Sequence, residues 1–239
     1  MFPRIIRELP GGQTAVYAWF QAMHTRIDIL LKSASLHRDN LVAVVGDIHS
    51  LIHEIESEGN CFAPASLLSQ FNSLPVGAIL PGGKYLSDIL SLCRQYNFAT
   101  DGIFDVSVES ENYHPGMLDN LVIHPDGRLE RRSASLKINL SGFIKGYALD
   151  CIGALLRRHG ICDAIVNMGN SSIMAVGDVP VRGDKPFLTT TGNSSDAPRR
   201  IVDPRTGEVV TREGVVSVYT DSGAEGEVRA TQLFILSAD

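Results

Sequence analysis

The sequence predicts an α+β fold: a mixed or antiparallel sheet with packed helices. Two patterns carry that expectation. Amphipathic helices and strands interleave along the chain. The extended segments of the second half follow one another in antiparallel-looking runs instead of alternating with helices. The 239 residues fit one large domain or two small ones. No linker, internal repeat or low-complexity tract divides them, so the expectation is a single domain over residues 1–239.

Met23 to Ser33 alternates in part through Ile27, Ile29 and Leu31 and is expected as a strand. From Asn40 to Glu58, Leu41, Val44, Val45, Ile48, Ile52 and Ile55 recur at helical spacing. Asp39 or Asn40 is the expected cap. A short helix fits Ala65 to Asn72. After the Pro81-Gly82-Gly83 turn, Lys84 to Asn97 is helical through Leu86, Ile89, Leu90 and Cys93.

Thr100-Asp101-Gly102 is a turn leading into an expected strand, Ile103 to Val108. His124-Pro125-Asp126-Gly127-Arg128 reads as a hairpin turn between Leu121–Ile123 and Leu129 onward. Leu136 to Leu140 is expected as a further short strand. Ile144 to His159 forms a helix closed by Gly160. Strands follow at Ala164–Met168 and Ile173–Val176, then a loop over Gly177–Pro186. Phe187–Thr191, Arg200–Val202 and Val215–Thr220 read as extended, and a last helix runs from Ala224 to Leu236.

Composition narrows the function. Apolar residues are 44% and charged residues 20%, as in ordinary globular proteins. Net charge is -6, which excludes a basic nucleic-acid footprint. No apolar run reaches the ~18 residues of a membrane span. Cys61, Cys93, Cys151 and Cys162 form no C-x-x-C pair and no zinc spacing. Cys93 and Cys151 lie on apolar helix stripes and read as core residues. The start, Met1 to Pro10, has neither a long apolar segment nor a lipid-accepting cysteine. The sequence as it stands therefore reads as cytoplasmic, and as periplasmic if it derives from a longer chain. His49 and His53 sit one helical turn apart, without the glutamate that a zincin helix needs.

Four segments carry chemistry. Asp101-Gly102-Ile103-Phe104-Asp105 delivers a carboxylate and an aromatic from a glycine turn; taken alone it is also an ordinary capped turn. Asn139-Leu140-Ser141-Gly142-Phe143-Ile144-Lys145 runs from a strand end into a helix. Such an end exposes backbone N–H groups and a positive dipole, which suits phosphate. Lys145 in the first turn opposes that dipole, and an anion beside it would offset the repulsion; alone it is equally an exposed lysine. Asn167-Met168-Gly169-Asn170-Ser171-Ser172 is a polar bend between apolar strands. Arg199-Arg200-Ile201-Val202-Asp203-Pro204-Arg205-Thr206-Gly207 ends in a Pro/Gly turn, with Arg205 placed to pair with an acid or a phosphate.

Together these segments resemble the ApbE family, the FAD:protein FMN transferases. The family's D-L-G-G-I-A-K-G-Y-A-x-D is here NLSGFIKGYALD, and its A-x-V-N-x-G-G is AIVNMGN. Its T-S-G before H-I-I-D-P-x-T-G is TTG before RIVDPRTG. Its D-G-x-F-D-P-T is DGIFDVS, and its closing A-D-x-x-A-T-A-L-F-V-L is GEVRATQLFIL. An early M-G-T is MHT, and L-S-x-F-N is LSQFN. The matches keep the family's order from about residue 20 to residue 236.

The resemblance implies a single ApbE-like, T-fold-related domain and a Mg²⁺-dependent transfer. FMN passes from FAD to a threonine or serine of a target flavoprotein and AMP is released, with FAD hydrolysis as an accompanying activity. It implies metal contacts from Gly142, Glu227 and Thr231. It implies flavin-nucleotide contacts from Met23, Phe62, Ile103, Phe104, Asp105, Asn139, Lys145 and Ile201. It names no catalytic side chain. Asn139 stands where the family has an acid, Glu227 where it has Asp, and Arg200 where it has the histidine before I-I-D-P. The alternative is a relative that binds a flavin nucleotide or a partner without turnover.

Overall fold

A computed structural model describes residues 2–177, 184–193 and 200–237. Its strands are β1 (Arg4–Leu9), β2 (Gln13–Ala22), β3 (Thr25–Ser33), β4 (Ile79–Leu80), β5 (Leu121–Ile123), β6 (Leu129–Arg131), β7 (Asp163–Met168), β8 (Ser172–Val176), β9 (Phe187–Asn193) and β10 (Gly214–Thr220). Its helices are α1 (Arg38–Gly59), α2 (Leu67–Asn72), α3 (Leu86–Ala99), α4 (Ile144–Arg158) and α5 (Gly223–Leu236). The class is α+β, as the sequence predicts, and the pairings of β1 with β2, β2 with β3, β3 with β7, β7 with β8, β8 with β9, and β6 with β4 and β5 are all antiparallel. Most of the expected Gly177–Pro186 loop lies outside the described residues.

The chain forms two compact units. The first holds Met1–Glu54, Lys145–Thr190 and Ser217–Glu227; the second holds Ile55–Ile144, Thr191–Val216 and Val228–Asp239.

The first unit is organised by a seven-stranded sheet in the order β1-β2-β3-β7-β8-β9-β10. Burial alternates residue by residue. Thr14, Val16, Ala18, Phe20 and Ala22 of β2 are buried, as are Ile27, Ile29 and Leu31 of β3 and Ala164, Val166 and Met168 of β7. That period of two gives the sheet one core face. Leu41, Val44, Val45, Ile48 and Ile52 of α1 are each at most 2% exposed. Each such side chain contributes about 1.5–3 kcal/mol by leaving water. The rings of Phe20 and His49 lie 4.7 Å apart, edge to face, which ties α1 to β2.

The second unit carries a small sheet, β4-β6-β5, together with α2 and α3. Ser66 caps α2, its Oγ accepting from Ser69 N at 3.0 Å. Tyr85 precedes α3 and makes no capping bond of its own. Instead the Glu58 carboxylate accepts from Lys84 N at 2.9 Å, Tyr85 N at 2.8 Å and Leu86 N at 2.9 Å. An anion at that end also suits the helix dipole.

Several expectations need correction. The β1–β2 hairpin is absent from the sequence reading; its exposed first strand has no apolar alternation to mark it. Helix α1 begins at Arg38, because His37 O accepts from Asn40 N and Leu41 N at 3.0 and 3.2 Å. Asp39 is therefore a first-turn residue and not the cap. Ile103–Val108 is a run of turns, started by Asp101 and Gly102 with φ of +50° and +79°. Leu136–Leu140 joins no ladder. Side chains take the place of a neighbouring strand there: Asn72 accepts from Ile138 N and donates to Ile138 O, both at 2.8 Å. Ser110 Oγ accepts from Lys137 N at 2.9 Å and donates to Lys137 O at 3.2 Å. Cys93 is buried as expected, whereas Cys151 is only partly so.

Replacing Asn72 by Leu leaves both Ile138 backbone groups without partners. Stability is expected to fall by about 2–4 kcal/mol, measured as a lower denaturant midpoint with an unchanged slope.

Candidate functional site

In the first unit, chemistry gathers where β7 turns into β8. The register pairs Met168 with Ser172 across the Gly169-Asn170-Ser171 turn. Gly169 has a φ of +67°, and a Cβ there would run into the Thr25 side chain. Glycine thus lets this turn close on the β2–β3 turn, which carries Met23. Two residues make that second turn, Met23 at φ +50° and His24 at φ +57°. Left-handed conformations at two non-glycine residues strain the backbone.

Consecutive serines of this bend take up two site residues. Lys145 Nζ, in the first turn of α4, donates to Ser171 Oγ. Ser172 Oγ donates to Glu227 Oε1 at 2.5 Å, and Glu227 is 5% exposed. A buried carboxylate needs such donors to offset its lost hydration. Gly146 makes the arrangement possible: a Cβ on it would meet the Gly223 carbonyl and come within 2.6 Å of Glu227 Cγ.

The start of α5 is set by Asp150 on α4. Its carboxylate accepts from Ser222 Oγ at 2.8 Å, Gly223 N at 2.7 Å and Ala224 N at 2.9 Å. In the sequence Asp150 stands only as the last residue of the NLSGFIKGYALD motif, with no role assigned to it. Its offset of 73 residues from Gly223 is invisible to local pattern.

In the second unit, Asn139 N donates to Val106 O at 2.8 Å, joining the Ile103–Asp105 loop to the segment that ends in Gly142. Asn139 Oδ1 accepts from Ser141 N at 2.9 Å, from Ser141 Oγ, and from Cys61 Sγ at 3.5 Å. Burial pushes the Cys61 thiol upward, so it stays a protonated donor. Asp105 accepts from Ser107 N at 2.7 Å, Ser107 Oγ at 2.6 Å and Tyr113 OH at 2.9 Å. Burial, and then the Asp105 charge, raises the Tyr113 phenol well above its ordinary value. Phe104 is buried against Phe143, ring centres 5.7 Å apart.

Ile103 belongs to a core cluster with Val210, Phe234 and Ile235, and Ile201 packs against it. Phe62 is 64% exposed and Gly142 is exposed, with no heavy atom within 4 Å of the place a Cβ would take. Thr231 is half-buried on α5. Arg205 pairs with Asp203, Nη2 to Oδ2 at 2.7 Å, and holds that carboxyl below the usual range. The acid expected as one partner of Arg205 is thus Asp203. The first unit thus brings Lys145 and Glu227 to adjacent serines. The second brings Ile103–Asp105, Asn139 and Ile201 into one neighbourhood. Among the described residues, no three His, Cys, Asp or Glu side chains gather as a metal cluster.

The sequence profile of the ApbE family matches residues 23–191. The chain belongs to the ApbE family.

Solved ApbE structures share its fold. The flavin transferase ApbE of Vibrio cholerae superposes with a TM-score of 0.77 at 20% identity, over 94% of this chain and 87% of that one. The flavinyl transferase ApbE of Pseudomonas stutzeri gives 0.78 at 18%, over 94% and 85%. The ApbE protein of Thermotoga maritima gives 0.75 at 18%, over 94% and 88%. No curated protein sequence matches the chain. On this ApbE fold, the K-G-Y-A-x-D motif places Lys145 at Ser171, packs Gly146 on Gly223 and sets α5 through Asp150.

Asp150→Ala is expected to lower stability by about 1–3 kcal/mol, with Asp150→Asn recovering part of it; urea titration checks both. His24→Gly relieves a left-handed residue and is expected to raise stability by about 1 kcal/mol, visible as a higher thermal midpoint.

Proposed function

We propose that this protein is a FAD:protein FMN transferase. It passes FMN from FAD to a threonine or serine of a target flavoprotein and releases AMP, with FAD pyrophosphatase activity when water replaces the hydroxyl. The observation that carries the reading is the placement of Lys145 and Glu227 on the consecutive serines of the β7–β8 turn, at the first turn of α4, in a member of the ApbE family. The likeness to flavin transferases from Vibrio cholerae and Pseudomonas stutzeri supports it.

The chemistry is a displacement at phosphorus. The bond from the FMN phosphorus to the bridging oxygen breaks, a bond to the target's hydroxyl oxygen forms as its proton passes to water, and AMP leaves with the bridging oxygen. Charge on the diphosphate opposes attack, so the protein must neutralise and orient it. Lys145 supplies a cation at a helix N-terminus that itself favours anions. Its bond to Ser171 fixes the ammonium against the bend. Asn139, Asp105 and Phe104 are assigned to flavin-nucleotide contacts by the family resemblance, as are Met23, Ile103, Ile201 and the exposed ring of Phe62. Asn139 already spends its side-chain oxygen on the turn at Ser141, which leaves its amide N–H groups as the donors toward a ligand.

The resemblance assigns Mg²⁺ to the Gly142 carbonyl, the Glu227 carboxylate and the Thr231 hydroxyl. All three are oxygen donors, the chemistry a hard dication requires. Glu227 is buried and already oriented by Ser172, as a ligand carboxylate should be. When bound, such an ion would supply neutralisation of the phosphate charge. Arg200 stands in the place of the family's histidine, and a guanidinium is a poor general base for the hydroxyl proton.

Incubation with FAD and Mg²⁺, followed by chromatography, is expected to yield FMN and AMP. Glu227→Ala is expected to cut release by about 10²-fold or more, with the fold checked by circular dichroism. FAD retained without any AMP would instead favour a flavin-binding relative that has lost turnover.

A further inference from the structure

We propose that β1 is a self-pairing edge, through which two copies of this chain join their sheets about a two-fold axis at Ile6. Strand β1 is the terminal strand of the seven-stranded sheet and, among the described residues, pairs with β2 alone. Arg4 through Glu8 are exposed, Ile5 to 46% and Ile6 to 36%. Such an edge offers unpaired backbone groups to another strand.

The register fixes which groups are offered. Pro3 lies opposite Trp19 on the continuation of the β1–β2 register, and Trp19 N donates to Pro3 O at 3.2 Å. In an antiparallel ladder, bonded and non-bonded pairs alternate. Ile5, Arg7 and Leu9 therefore turn their N–H and C=O groups to β2, while Arg4, Ile6 and Glu8 turn theirs outward. No proline interrupts that outward set.

Only one two-fold register suits it. Centred on Ile6, it sets Ile6 opposite Ile6 of the partner subunit, and Arg4 opposite Glu8 of the partner subunit on both sides. Every outward backbone group then meets another, and Arg4 and Glu8, the two charges of that outward set, face each other. A centre at Ile5 sets Glu8 opposite Phe2 of the partner subunit, outside β1, and leaves its charge unmatched. A centre at Arg7 sets two arginines directly against each other. Glu8 is already steadied for this, accepting from Thr14 Oγ1 at 3.0 Å. On the other face Ile5 stands opposite Arg7 of the partner subunit. There Ile5, Leu9, Ala15, Tyr17 and Leu30, with Arg7 and Lys32 beside them, line a groove of ≈ 320 Å³ that the paired strand would continue. The contact is isologous and closes on itself, so it stops at two copies.

Sedimentation of the intact chain tests this. A concentration-dependent dimer in the micromolar range is expected, weakening as salt rises. Ile6→Pro removes an outward N–H and leaves the β1–β2 ladder whole, so it is expected to yield a folded monomer with an unchanged thermal midpoint. Arg4→Glu and Glu8→Arg are each expected to weaken association about tenfold or more, and the double swap is expected to restore it. A monomer at about 100 µM overturns the proposal. So does a dimer indifferent to Ile6→Pro, or a double swap that recovers nothing.

Discussion

Asp150 decides where the last helix starts. Three donors of the Ser222–Ala224 segment converge on its carboxylate, so the first turn of α5 is anchored to α4 by an anion at the positive end of its dipole. Glu227 lies one turn further along α5, and its burial against Ser172 follows from that anchoring. Gly146 and Gly223 admit the close approach of the two helices that the anchoring demands. The arrangement of acid, cation and serines at the β7–β8 turn is thus a consequence of helix capping as much as of any side chain that meets a ligand.

The remainder of the polar chemistry follows one pattern: a buried or half-buried carboxylate satisfied by local donors. Asp105 takes Ser107 and Tyr113, Asp203 takes Arg205, and Glu58 takes three backbone N–H groups at the head of α3. Leaving such oxygens unmatched would cost more than each bond contributes in return. The donors are therefore part of the fold, and a loop such as Ile103–Asp105 holds its form without belonging to any sheet.

What could be read from the residues tracks the range of the forces involved. Period and punctuation located α1, α3, α4 and α5, and the hairpin of β5 and β6, because those signals are written within a few turns of chain. The same signals failed for Ile103–Val108 and Leu136–Leu140. Both have strand-like residues, but Asp101 and Gly102 redirect the first, and Asn72 and Ser110 satisfy the second from a distance. Asp39 looked like a cap because its type favours one; the backbone of His37 took that place. Lys145 and Glu227 stood out through family motifs, yet their serine partners were legible only as a polar bend. The role of Asp150 is set across 73 residues, and no local pattern encodes it.

The segment from Leu136 to Leu140 shows what such substitution of side chains for strands entails. The peptide groups of Lys137 and Ile138 are satisfied by the Ser110 and Asn72 side chains, not by a neighbouring main chain, which any residue would provide. Sequence drift at these two small polar positions is therefore restricted as tightly as at a core leucine. A substitution table that scores Asn72 by its partial exposure would overlook it.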